Sequence, residues 1–520
     1  MTSRGAAAVG AGLAPARTAR PIRPGERIHI VGAAGAGASA AALLAAWAGA
    51  AVDGCDPGGP SSYTQALDAQ GIRVASAHNA SHVIDGRPER LAVTKALTAI
   101  SPDHPELLAA RAVGVPVEPW QQVVADAAVG RRLVGVAGTH GKSTTSGWLV
   151  HVLAEAGADP GAFVGALLPA SLTGLDLPAT ARRGGGAAFV VEADEYAGNF
   201  DPYHPEVIVL TSAEWDHPDV FEDRAAVLDA FERWIRATAP VVIADGRMPV
   251  MVANVADDGV ADICRRLGDW PGRLIATRLH SVGQDAPDAA MTTLLGAVQI
   301  LEARVTALER EHTVLEVTGL NATPVTVTLR SAGRHNAANA LGVAGAALAL
   351  GIGPEAIAEG LGSFAGVGRR LERKGEARGV VVYDDYGHHP TAIRETLLAV
   401  RQREPGRRVW AVYEPLTFHR TAALLEEFAA VLATADAVAV ADIWAGRDQD
   451  TTVTSSVALA AAVARRHPMI PVAAPGSVEA TARWLAREVR EGDAVLVMGG
   501  GRSYRIGELL LEHLAARDSA

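Results

Sequence analysis

One stretch limits the architecture more than any other. An apolar run, Leu133 to Ala137, enters Gly138-Thr139-His140-Gly141-Lys142-Ser143-Thr144, and a helix-compatible run leaves through Trp148, Leu149 and Val152 towards Ala156. Strand, glycine turn with Lys-Ser, helix is the layout of a phosphate-binding loop, and it commits this region to an α/β sheet. Glycines let backbone N–H groups approach an anion, and a helix N-terminus adds positive potential. Lys142 offers a long cation for the outer phosphates, and Ser143 offers a hydroxyl for the magnesium that travels with them. The spacing departs from the general P-loop, which needs a glycine where this chain has Val136; here the glycine is Gly138. Lysine occurs only at Lys95, Lys142 and Lys374, arginine filling the other basic positions. A lysine thus stands where a compact ammonium is wanted.

The 520 residues are enough for roughly two to four domains with large cores. A net charge of -11 argues against a general nucleic-acid binder, while leaving room for a local basic pocket. The two cysteines, Cys55 and Cys264, are far apart and have no zinc-like spacing, so neither a disulfide framework nor a zinc site is expected, and a reducing cytoplasm is the simplest compartment. No run is long and apolar enough to predict a membrane span. The stretch from Met1 to Pro24, rich in Ala, Gly, Pro and Arg and without acids, reads as a disordered tail.

A predicted strand, Arg27 to Val31, runs into the glycine turn Gly32-Ala33-Ala34-Gly35-Ala36-Gly37-Ala38-Ser39 and an Ala/Leu helix, and Asp56 follows a second strand. This is the outline of a dinucleotide fold, which keeps a nicotinamide-dependent dehydrogenase open as a rival reading. Ser39 reads equally as a helix-start hydroxyl, and Asp56 as a turn residue. Thr98 to Ser101 reads as a strand and turn, and Asp103-His104-Pro105-Glu106 as a helix start. Two further buried strands, Ala188 to Val191 and Val207 to Leu210, each end in an acidic cluster: Glu192-Ala193-Asp194-Glu195-Tyr196, and Thr211-Ser212-Ala213-Glu214-Trp215-Asp216-His217. Carboxylates at the carboxyl ends of strands suit a phosphate-bound metal.

Val298 to Arg310 reads as helix-like, and Thr313 to Val317 and Val325 to Val327 as strands. Asn336 and Asn339 share a helix face after Gly333-Arg334-His335, suiting either an adenine edge or a helix cap. Arg369-Arg370 marks a junction, and the strand Val380 to Tyr383 ends in Asp384-Asp385-Tyr386-Gly387-His388-His389-Pro390-Thr391. These acids and histidines can meet a cation, a ribose or an ammonium. Later strands, including Val409 to Tyr413 before Glu414-Pro415-Leu416-Thr417-Phe418-His419-Arg420, complete a second doubly wound sheet.

In this order the motifs resemble those of the Mur ligase family, which joins amino acids to cell-wall precursors using ATP. The resemblance runs over nearly the whole chain after residue 26. His104 and Ser212 each replace an Asn of the family pattern, and Leu416-Thr417 depart from the usual His-Arg. The fold implied is α/β in three domains. A Rossmann-like UDP-sugar-binding domain is expected over 25–130, after a tail over 1–24. A central P-loop ATPase domain with a mostly parallel sheet is expected over 131–365, and a C-terminal Rossmann-like amino-acid-binding domain over 366–520.

The resemblance implies that Gly138, Thr139, His140, Gly141, Lys142, Ser143 and Thr144 bind ATP with His335, Asn336, Asn339 and Arg370. It implies that Ser143, Glu192 and His217 hold Mg2+, and that Lys142, Glu192, His217, Arg369, Asp385 and His388 serve catalysis. Gly35, Gly37, Ser39 and Asp56 would contact UDP-N-acetylmuramate, and His389 and Arg420 the incoming amino acid or short peptide. L-alanine leads as the amine. A murein tripeptide stays open, supported by Tyr196, by Glu214 to His217 with Asp219 to Asp223, and by Tyr413-Glu414-Pro415. Neither nucleic acid nor membrane is expected as a partner, and the expected state is a monomer or homodimer.

Overall fold

The protein is described by a computed structural model over residues 9–280, 299–446, 448 and 450–516. Its strands form three sheets, each opening its functional edge towards a shared cleft. The first is all parallel, in the order Val74–Ala75, Ala51–Cys55, Arg27–Val31, Arg90–Val93, Val117–Pro119. The order reverses between Arg27–Val31 and Arg90–Val93, so a crevice opens beyond their carboxyl ends, where the Gly32 turn begins.

The second sheet has ten strands. Its heart is Arg132–Ala137, paired in parallel with Val207–Leu210 on one side and Ala188–Ala193 on the other. Val134 and Val136 pack on one face beneath Trp148, Leu149 and Val152 of the helix Lys142–Glu155, while Ala137, Ile208 and Leu210 join a cluster on the other. Burial on both faces explains why these strands read as unbroken apolar runs. Among the described residues, antiparallel partners occur only towards the margins, at Gln299–Leu308 with Thr313–Thr318, at Thr313–Thr318 with Val325–Leu329, and at Gly161–Leu168 with Ala179–Arg182. The third sheet has six strands, parallel except for the edge pair Glu372–Ala377 and Val380–Asp385.

Three sequence expectations are corrected. Residues 1–8 of the expected tail lie outside the described residues, but residues 9–24 are fixed along the first domain. Ala14 N–H donates to Val117 O at 2.7 Å, and Arg17 pairs with Asp126 at 2.7 Å. The cause is electrostatic: Glu118 and Asp126 are buried, and arginines at 17 and 90 neutralise them. Thr98 to Ser101 is not a strand and turn. Lys95–Ile100 is a helix, held by Lys95 donating to the Ala197 and Gly198 carbonyls at 2.8 and 2.7 Å. Gln299–Leu308 is a strand rather than a helix, with Leu301, Ala303 and Val305 buried at alternate positions; Val298 lies outside the described residues. Among the described residues no helix is long and apolar enough to cross a membrane.

Candidate active site

A cleft of about 1230 Å³ lies where the three sheets meet. The first domain contributes Gly35 and Ser61, the second His140 and Asn339, the third Arg370 and Tyr386.

The loop after Arg132–Ala137 has the conformation its glycines permit. Gly138 has φ +135°, and a Cβ there would sit 2.2 Å from Thr211 Oγ1; Gly141 has φ +81°, and a Cβ would sit 2.5 Å from Asn339 Oδ1. Any side chain would be strained at either position. The loop is pinned by the next strand's end: Thr139 N–H donates to Ser212 O at 3.1 Å, and His140 N–H donates to Ser212 Oγ at 2.9 Å. Ser212 was legible only as a departure from the family's Asn, yet its hydroxyl shapes the loop.

Lys142 Nζ donates to Gly138 O at 2.6 Å and pairs with Glu195 at 2.9 Å. Burial works against its charge, but Glu195 and Asp194 outweigh that and hold its pKa above the ordinary value. Ser143 Oγ donates to Glu192 Oε1 at 2.9 Å and accepts from Arg370 at 2.8 Å, so the third domain touches the loop's end. Glu192 is held in turn by Gly165 N–H at 2.6 Å. Thr144 lines the cleft beside them.

His217 does not join Ser143 and Glu192 in a single ligand set. Its ligand atom lies with those of Asp194 and Glu195, all within 4.8 Å of one another. Asp194 and Glu195 are therefore site residues that the motif quoted without assigning a role. Glu214 is a third: it accepts from Thr391 Oγ1 at 2.7 Å and lies 3.6 Å from His140 and 3.8 Å from His389. Burial opposes its charge, but the nearby His140 and the Thr391 hydrogen bond hold it at about 2.

The expected site residues of the third domain lie as follows. Arg369, expected to serve catalysis, turns into its own domain. It pairs with Asp384 at 3.0 Å, donates to Gly499 O and Ser503 Oγ at 2.9 Å, and lies against Tyr386 and Tyr504. Arg370 is the one that reaches back. Asp385 is spent on its own turn, accepting from Leu371 N–H at 2.8 Å and Gly387 N–H at 2.7 Å. His388 Nδ1 lies 2.9 Å from Tyr386 O, and burial pushes its pKa well down. His389 lies 3.3 Å from Trp215 O, and burial lowers its pKa to about 4.

Arg420 is not an open amino-acid contact. It is 3% exposed, and it donates from Nε to Asp216 at 2.8 Å and from a terminal nitrogen to His217 Nδ1 at 2.9 Å. His335 is half-buried, and desolvation lowers its pKa, while Asn336 donates to Ala332 O at 2.8 Å. With Asn339 they nonetheless line the cleft.

In the first domain, Gly35 starts the helix Ala36–Trp47 and faces the cleft. Asp56 accepts from Ala34 N–H at 3.0 Å and so braces the glycine turn. Gly37 and Ser39 point elsewhere. A Cβ at Gly37 would lie 2.2 Å from Trp120, and Ser39 Oγ donates to Ala36 O at 3.0 Å beside Thr180 of the central domain.

Comparison with known proteins agrees with this layout. Three family models match in order: the Mur ligase family catalytic domain over residues 27–132, the Mur ligase middle domain over 136–347, and the Mur ligase glutamate ligase domain over 369–501. The UDP-N-acetylmuramate–L-alanine ligase of Gloeobacter violaceus is 36% identical over 495 residues, covering 95% of this chain and 97% of that protein. That of Frankia casuarinae is 35% identical over 523 residues, covering 94% and 98%. Among solved structures, the UDP-N-acetylmuramate–alanine ligase of Thermotoga maritima superposes with a TM-score of 0.73 at 22% identity, covering 95% of this chain and all 100% of that one. With full-length relatives above a third identical and all three domain models in sequence, the chain belongs to the Mur ligase family.

Proposed function

We propose that the chain joins L-alanine to UDP-N-acetylmuramate with ATP, forming ADP and phosphate. The observation that carries this reading is the naming of its full-length relatives, 35–36% identical over 94–95% of the chain, as UDP-N-acetylmuramate–L-alanine ligases. The tripeptide reading is not favoured by them. The dehydrogenase reading falls with family membership, and it would leave Lys142, Glu192 and His217 without a task.

The chemistry suits the cleft. A carboxylate is a poor electrophile until one oxygen becomes part of a leaving group. Transfer of ATP's terminal phosphoryl group to the muramate carboxylate breaks the bond to ADP and forms an acyl phosphate. The amine then attacks the acyl carbon, phosphate leaves, and the amine gives up a proton. Phosphoryl transfer asks mainly for positioning and charge neutralisation. The loop at Gly138–Thr144 and the N-terminus of the helix Lys142–Glu155 would cradle the phosphates, and Lys142 would exchange Glu195 for phosphate oxygen. Arg370 would bring the third domain's charge to the same place and help exclude water.

The residues also fit magnesium. The oxygens of Ser143 and Glu192 lie 2.9 Å apart, and Asp194, Glu195 and His217 form a second, mainly carboxylate group. Ser143 with Glu192, and separately His217 with Asp194 and Glu195, would hold it at two places, and its contribution would be to neutralise phosphate charge. Sugar binding falls to the crevice beside Gly35 and Asp56. The test is phosphate release with ATP and UDP-N-acetylmuramate, offering L-alanine, L-serine, glycine and the murein tripeptide separately. Release with L-alanine well above the others is expected; release with the tripeptide alone would overturn the reading.

A further inference from the structure

A second cluster of metal-binding side chains lies in the first domain, outside the cleft. His29 and Asp53 are paired across the parallel strands Arg27–Val31 and Ala51–Cys55, and Cys55 closes the second strand on the same face. The helices Ser81–Ile84 and Pro105–Val113 cover that face and bring in His82 and Glu106. Glu106 has no exposed surface. Its carboxylate lies 2.5 Å from His82 Nδ1, 3.1 Å from Cys55 Sγ and 3.6 Å from His29 Nε2. One ligand atom from each of the four residues lies within 4.8 Å of the others. None of the four lines the ATP cleft.

We infer that His29, Cys55, His82 and Glu106 form a four-coordinate site for a borderline divalent metal of the zinc class. Metal bonds of about 2.0–2.3 Å in a tetrahedron place ligand atoms roughly 3.3–3.7 Å apart, so the distances from Glu106 need to change by less than about 1 Å. Two independent observations point to a ligand. His29 is 2% exposed, and its Nε2 has no hydrogen-bond partner, although its Nδ1 is 2.7 Å from Asp53. A carboxylate on one imidazole nitrogen, with the other turned inward, is the arrangement that orients a metal-binding histidine. His104 is 3% exposed, and neither ring nitrogen has a hydrogen-bond partner, Nδ1 lying 3.8 Å from Glu106; its ring lies 4.3 Å from that of His78, which itself lies 3.1 Å from Cys55 Sγ. A metal at the centre satisfies His29 directly, and it lets His78 and His104 reorient around a thiolate rather than a thiol.

Two histidines, one thiolate and one carboxylate discriminate against magnesium and calcium, which need an oxygen cage. All four positions are filled by protein, so the site is structural. It would clamp two strands and two helices just behind Asp56, the residue that braces the glycine turn. Binding releases the Cys55 thiol proton to solvent. The ligands are spread over 78 sequence positions, from His29 to Glu106, which is why cysteine spacing did not reveal them.

The test uses the purified full chain, stripped with a chelator and titrated with Co2+. One equivalent should produce a near-ultraviolet thiolate-to-cobalt charge-transfer band with intense tetrahedral visible absorption, and stoichiometric Zn2+ should abolish both. Cys55→Ser should lose the charge-transfer band, and Cys264→Ser should keep it. Cobalt at the Ser143–Glu192 or Asp194–Glu195–His217 groups has no thiolate and cannot mimic this signal. Absence of the band in the wild-type chain would overturn the assignment without reference to any variant, as would its persistence in Cys55→Ser. A natively folded wild type whose melting temperature does not change with Zn2+ would overturn the clamp.

Discussion

Lys142 meets two opposed demands. It must stay charged inside a cleft, and it must let go of its protein partners when phosphate arrives. Glu195 and Asp194 keep the ammonium charged, while the Gly138 carbonyl at 2.6 Å aims it along the loop. Lys142→Ala should therefore lower ATP turnover by at least about 100-fold with the circular dichroism spectrum unchanged. Turnover near the wild-type level would remove this loop from the ATP site. A second residue-scale consequence concerns Glu414, at the end of the strand Arg408–Glu414, 3% exposed and with Oε2 unpartnered. Burial pushes its pKa up to about 7, against the partial relief of the Ser503 backbone N–H. The folded state then holds this proton more tightly than the unfolded one, so its contribution is intact below about pH 4.5 and is lost as pH rises towards 7. Glu414→Gln should gain on the wild type by up to about 3 kcal/mol between pH 5 and pH 8. Denaturant unfolding at both pH values measures the gap, and a gap independent of pH would contradict the assignment.

At the scale of elements, the helix Ala36–Trp47 shows how a glycine can be read for the wrong reason. Gly37 sits in a turn that resembles a diphosphate cradle, but what excludes a side chain there is the Trp120 ring, 2.2 Å from where a Cβ would be. Gly37→Val should cost about 1–3 kcal/mol by overpacking against that ring. Thermal unfolding would show it, and an unchanged melting temperature would mean that Trp120 yields freely. The strands around the phosphate loop were legible because parallel strands buried on both faces leave continuous apolar runs, as at Val207–Leu210. Gln299–Leu308 was not, since its apolar residues satisfy a helical period and an alternating one together; pairing with Arg273–His280 and Thr313–Thr318 decides between them. Lys95–Ile100 was misread for a related reason: a short apolar run carries no period, and what settles it is Lys95 docking on carbonyls about a hundred residues away. The tail failed as a compositional reading because its arginines answer buried acids at Glu118 and Asp126.

At the scale of the whole molecule, several candidate site residues join domains, and such pairings leave no local trace. The sequence marks Arg369 and Arg370 alike; only the fold sends one to Asp384 within its own domain and the other to Ser143 across the junction. Arg420 is the fullest case. It comes from the third domain, is buried, and holds both Asp216 and His217 of the central domain. Burial opposes the Asp216 charge, yet Arg420 keeps its pKa well below the ordinary carboxylate range. Removing the guanidinium leaves that carboxylate buried and unpaired, a loss of about 3–5 kcal/mol for a buried pair. It also frees the His217 ring beside Asp194 and Glu195. Arg420→Ala should lower both stability and ATP turnover. Arg420→Lys should recover little, because one ammonium cannot serve both partners of the fork. Adding Asp216→Asn to Arg420→Ala should cost less than the sum of the single changes, since the unpaired charge is then gone. If Arg420 instead contacts the amino acid, Arg420→Ala will raise the KM for L-alanine alone and leave unfolding untouched. Unfolding curves of the two single variants and the double variant, read beside that KM, separate a residue that joins two domains from one that receives the substrate.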